Sequence, residues 1–137
     1  MILDVLSQVD YFAVVFAAVA GLAVGTVWYL PAVFGRQWQA SLARSEQRRQ
    51  GPPVKIVLAR GVATVIAALS LEVMLIGSGA TTLGGALRLG GVVSLGLVAT
   101  TIVSDYLYAG WSPRLIAITV GHRVLHILVM CTVLKLI

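Results

Sequence analysis

The sequence predicts an all-α fold, an integral membrane four-helix bundle running mostly up and down, with residues 1–137 as a single domain. Three observations carry that expectation. Four apolar stretches, at about 11–30, 56–76, 86–106 and 115–134, take up most of the chain. At ~1.5 Å per residue each is ~30 Å long, the thickness of a bilayer's hydrocarbon core. Charged residues make up only 11% of the chain and hydrophobic residues 59%, where an ordinary soluble domain carries about 25% charged. A soluble domain of this size has one core and cannot hide four helices that are apolar all round.

The first stretch follows Asp4 and Asp10. It lacks a basic leader and is too long for a signal-peptide core, so it is expected to be a retained helix. Ala13, Ala17, Gly21 and Gly25 repeat along it every four residues. Trp28 and Tyr29 close it, where amphipathic aromatics settle at headgroup level. The connection over residues 31–55 holds Arg36, Arg44, Arg48, Arg49 and Lys55, five of the ten basic residues. Phe34, Trp38 and Leu42 interleave with Arg36 and Arg44. That spacing fits a short helix lying in the interface, or an irregular basic loop. Gly51-Pro52-Pro53 then breaks the chain before the second span.

Gly61, Thr64, Ala68 and Glu72 line one side of the second stretch. A nearly neutral connection rich in glycine, serine and threonine comes next, from Gly77 to Gly85. Gly90, Ser94, Thr101 and Asp105 are expected to share a face of the third stretch. The last connection, Ala109 to Pro113, is short and is followed by Arg114. Small-residue stripes let helices approach closely, either within one chain or, through Gly21 to Gly25, between two. A homo-oligomer or a larger membrane complex is therefore among the expected partners, beside the lipid bilayer itself.

The net charge of +5 is an orientation signal. Basic first and third loops place residues 31–55 in the cytoplasm and both termini outside, with Lys135 as the one residue against it. No nucleic acid is expected, because the basic loop carries no recognition motif. Cys131 is alone, so no intrachain disulfide forms.

Certain residues resemble those of a known group of proteins. They are Trp28-Tyr29-Leu30-Pro31 with Phe34-Gly35 and Trp38, the segment Gly96 to Thr101, and Tyr108 to Leu115 before Gly121. With them the chain resembles the bacterial membrane-protein family catalogued as domain of unknown function 1761. The resemblance implies a small multi-pass protein of a bacterial inner membrane and no particular activity.

The last stretch carries the informative polar residues. Successive helical residues turn by ~100°, so Thr119, His122, Arg123 and His126 fall within an arc of roughly 100°. Eleven Leu, Ile and Val residues favour inserting this helix, by roughly 3 to 7 kcal/mol, and Arg123 alone opposes that by ~3 kcal/mol. The polar arc is thus expected to face the bundle, a partner or a ligand. Depth along the spans suggests ion pairs between Glu72 and Arg88 and between Arg123 and Asp105, with His126 reaching Glu72 or Thr101 where helix tilt allows.

The expected site is therefore a polar intramembrane seam of Glu72, Thr101, Asp105, Thr119, His122, Arg123 and His126. His122 and His126 have the i, i+4 spacing that grips a metal on one helix face, but no third ligand is near in sequence and Arg123 sits beside them. No metal or other cofactor is predicted, haem included, and no catalytic residue is assigned. The leading expectation is binding or movement of a small anionic or amphipathic solute, or of protons, through the seam. A non-catalytic accessory subunit ranks beside it. An oxidoreductase acting on a quinone-like substrate ranks last.

Overall fold

Asp10 starts the first long helix, its carboxylate accepting the N–H groups of Phe12 at 3.0 Å and Ala13 at 3.1 Å. In a computed structural model that describes residues 1–42 and 54–137, every described element is helical. The short α1 (Ile2–Ser7) precedes α2 (Tyr11–Trp28), and α3 (Arg36–Leu42) comes after it. Beyond them lie α4 (Val54–Gly77), α5 (Leu83–Tyr108) and α6 (Pro113–Leu136). Helices α2, α4, α5 and α6 are each long and apolar enough to cross a membrane. The sequence did not anticipate α1. Arg44, Arg48, Arg49 and the Gly51-Pro52-Pro53 breaker lie outside the described residues.

Each helix end has a local cause. Pro31 forces Leu30 into an extended conformation, so α2 stops at Trp28, two residues before the expected limit. A tight turn of π type, Pro31–Gly35, re-enters the helical path as the N–H groups of Val33 and Gly35 both reach the Leu30 carbonyl at 2.9 Å. The backbone of Tyr29 and Leu30 occupies the space a β-carbon at Gly35 would need, so only glycine fits. Gly79 and Gly110 take positive φ angles of 66° and 75° and close α4 and α5. Thr82 caps α5 and Ser112 caps α6, and Pro113 occupies the first turn of α6.

The four long helices pack in the spatial order α4, α2, α6, α5. Chain neighbours α4 and α5 stand on opposite flanks and touch little. The two inner helices, α2 and α6, pack extensively on each other, and α6 packs at least as extensively on α5 along its other side. The Ala13, Ala17, Gly21 and Gly25 stripe of α2 is buried, as its spacing led us to expect. Thr64, Ala68 and Glu72 are likewise buried on α4.

The face expected on α5 holds only in its first half. Gly90 and Ser94 are buried, but Thr101 and Asp105 are exposed. Residues Val92–Ala99 form a π-helical segment, whose wider turns rotate the second half of the helix out of α-helical phase. The inward line consequently continues through Ala99, Ile102 and Tyr106 instead.

Along the bundle axis the interior divides into two halves. Toward the α1 end it is apolar apart from the buried Glu72, and is built around Ala13, Ala17, Ala68, Leu71, Met130 and Cys131. Toward the end bearing Trp28 and Pro113 it contains buried Thr64, Ser94, Thr119, His122 and His126. We expect Gly90→Val to destabilise the protein by about 1 to 3 kcal/mol. A β-carbon at Gly90 would already lie 3.0 Å from Cys131 Sγ and 3.3 Å from a Leu128 methyl. Gly96→Ala meets open space and is expected to be neutral or stabilising. Thermal unfolding of the two variants in detergent checks the contrast.

Candidate functional site

His122 and His126 project from α6 toward α2, and the glycines of α2 make room for them. A β-carbon at Gly21 would collide with His126 Nε2, and one at Gly25 would stand 3.1 Å from His122 Nε2. The imidazoles stack with centroids 5.6 Å apart and planes 11° from parallel. Both are nearly sealed, His122 at 3% exposure and His126 at 7%, with Thr119 at 6% one turn before.

Aromatic rings close the cluster toward the Pro31 corner. Tyr29 lies 5.0 Å from His122 and Trp28 6.3 Å, centroid to centroid. Trp28 Nε1 donates to the Ile118 carbonyl at 3.1 Å, and Gly121 leaves the gap into which the indole fits, 3.0 Å from where its β-carbon would be. Phe34 packs on Trp28 at 4.5 Å and Trp38 on Tyr29 at 5.3 Å. Trp28 and Tyr29, expected at headgroup level, also wall the histidine site. The proline corner folds the chain back and turns both rings inward.

Arg60 completes the cluster, and sequence reading passed over it. On α4 it falls near the start of a long apolar run, and nothing in one dimension connects it to α6. In three dimensions its Nη2 reaches the same space over Gly25 that His122 Nε2 approaches. Arg60 and Arg123 both act electrostatically on His122 and His126.

The other expected members are placed elsewhere. Arg123 is exposed, so of the arc expected to face the bundle, a partner or a ligand, only Thr119, His122 and His126 face the bundle. It lies at one edge of that arc, ~100° from His122, and α2 covers the part centred on the histidines. Thr101 and Asp105 are exposed as well, and the Thr101 hydroxyl donates back to Leu97 and Val98 carbonyls at 3.0 and 2.8 Å. Glu72 is buried but belongs to the far end, where Asp10 and Lys135 are the charges acting on it. Along α4 it stands ~18 Å from Arg60.

Neither expected ion pair forms. Among the described residues the single ion pair joins the Met1 ammonium to Asp4 at 3.0 Å. Glu72 and Arg88 are apart because α4 and α5 occupy opposite flanks. Asp105 is turned outward by the phase shift in α5. Lys135 instead donates to the Ala80 carbonyl at 2.7 Å, tying the end of α6 to the α4–α5 connection.

Three polar atoms in the cluster are left without a partner: Thr119 Oγ1, His122 Nε2 and His126 Nε2. Among the described residues no three His, Cys, Asp or Glu side chains stand close enough to hold a metal ion. The arrangement can donate or accept hydrogen bonds at the two imidazoles and the hydroxyl, and the Arg60 guanidinium brings positive charge beside His122.

A family model described as a protein of unknown function, DUF1761, matches residues 12–135, and the chain belongs to that family. No curated protein and no solved structure matches it.

An orphaned buried polar atom costs about 1 to 3 kcal/mol. We therefore expect His122→Leu and His126→Leu to leave stability unchanged or to raise it by about 1 kcal/mol. A drop of several kcal/mol in detergent unfolding would instead mark the histidines as structural glue.

Proposed function

We propose that this DUF1761 protein holds a small anionic or amphipathic solute at its histidine pair, reached from the Trp28 and Pro113 end and not passed through to the other. One observation carries the reading. Thr119 Oγ1, His122 Nε2 and His126 Nε2 are orphaned together within one cluster, whereas a seam serving only to bind helices pairs its polar atoms. The clustering points to a partner that is not part of the chain.

Sidedness follows from the packing. Met130, fully buried, lies one turn beyond His126, and Ala17 and Ala68 close in around it. This apolar layer separates the histidines from Glu72, so a proton or solute at His126 has no polar step onward. Binding is favoured over conduction for that reason.

The basic residues Arg36, Lys55 and Arg114 flank the end from which the site is reached. By the positive-inside rule that end faces the cytoplasm, in a bacterial inner membrane, with both termini outside.

The test pairs retention with flux. Purified in mild detergent and studied by native mass spectrometry, the wild-type protein is expected to carry a small-molecule adduct that a His122→Phe, His126→Phe double variant lacks. Reconstituted in liposomes holding a pH-sensitive dye, it is expected to pass protons no faster than empty vesicles. An adduct equally present on the double variant, or none on either, would remove the binding role. Proton flux abolished by His126→Phe would replace binding with transport.

A further inference from the structure

The charge around the histidines narrows the chemistry of the occupant. Resting on the binding role just described, we propose that the site takes an oxyanion headgroup, a phosphate or a carboxylate, clasped by Arg60 and Arg123 and hydrogen-bonded by His122.

The first support is an imbalance of charge. Arg60 Nη2 reaches the space over Gly25 beside His122, Arg123 directly follows His122 on α6, and neither arginine is ion-paired among the described residues. The described carboxylates are all elsewhere. Asp4, Asp10 and Glu72 belong to the opposite end, and Asp105 is exposed on α5. Two guanidinium charges at membrane depth each cost ~3 kcal/mol or more. One oxyanion between them offsets both at once.

The second support is convergence. Arg60 comes from α4 and His122 from α6, and both approach the space that the missing side chain of Gly25 leaves over α2. A guanidinium presents parallel N–H donors matched to the paired oxygens of a carboxylate or phosphate. His122 Nε2, buried and without a partner, is free to donate a further hydrogen bond. A cation meets repulsion from two arginines here. A neutral carbonyl would satisfy the imidazole and leave both charges uncompensated.

Depth indicates how the group arrives. Arg60 lies ~9 Å along α4 from Val54 and Arg123 ~15 Å along α6 from Pro113. Both are exposed on the flanks of apolar helices. A headgroup carried on an acyl chain reaches them sideways from the adjoining leaflet, while a free anion must come from the aqueous end. The oxyanion is common to both routes.

The experiment tracks the imidazole 15N resonances of the intact protein in a neutral detergent, titrated separately with dodecyl phosphate, inorganic phosphate and dodecanol. Dodecyl phosphate is expected to shift the His122 signal, with its affinity weakened roughly tenfold or more by Arg60→Gln and by Arg123→Gln. Arg60→Lys, which keeps the charge, is expected to recover part of the loss, separating a charge effect from a folding defect. Weaker binding of inorganic phosphate supports the bilayer route, and equal binding supports a free anion. If dodecanol binds as tightly as dodecyl phosphate, or the two Gln variants bind unchanged, the oxyanion assignment fails while solute binding stands. If no probe moves either histidine but a retained adduct is found, the oxyanion assignment again fails alone. If there is no adduct either, the binding role falls with it.

Discussion

The close approach of α2 and α6 is the constraint on which the rest of the structure depends. Ala13, Ala17, Gly21 and Gly25 give α2 a face with almost no side-chain volume, and hydrocarbon supplies no hydrophobic drive to push helices together. Contact must therefore come from shape. Where alanine lines the stripe, α6 answers with Met130 and makes a dry layer. Where glycine lines it, α6 answers with imidazoles. One helix face thus builds both the seal and the site, and the change from alanine to glycine along it marks the boundary between them.

Much of the fold was legible because bilayer thickness is a ruler that apolar run length can be read against. The α2 and α4 stripes were legible too, because both helices keep ordinary helical phase. Prediction failed where phase or order was not local. The π segment in α5 displaced Thr101 and Asp105 from the inward line by a change of pitch that no residue type announces. The α4, α2, α6, α5 arrangement pairs α2 with α4 and α5 with α6 but separates α4 from α5, and the Glu72–Arg88 bridge was lost with that separation. Thr119, His122 and His126 were legible as an inward arc from their spacing alone. Arg60 was not, since its relation to Gly25 and His122 exists only after three helices have met.

The two buried imidazoles and the two exposed arginines make sense together. Burial without partners is costly for neutral polar atoms, and exposure to hydrocarbon is costly for fixed charges. A chain selected for stability alone has cheaper residues for all four positions, with leucine serving at each. Here both costs fall in the same half of the bundle, with His126 over Gly21 and both His122 and Arg60 over Gly25, on the same side of the apolar layer.

That coincidence bears on which of the two inner helices is the more adjustable. Helix α6 is held along one side by α2 and along the other by α5, where Cys131 fills the space beside Gly90. Its far end is tied by Lys135 to the Ala80 carbonyl, and its near end by the Trp28 indole to Ile118. Rotation of α6 would break both ties and unseat the seal. Arg60 and Arg123 reach the site on long stems from helix flanks and can shift without moving any backbone. The rigid part of the site is therefore its neutral hydrogen-bonding floor, and the mobile part its charge. In the binding role proposed above, the imidazoles and hydroxyl would fix position and the arginines would close over what has already arrived.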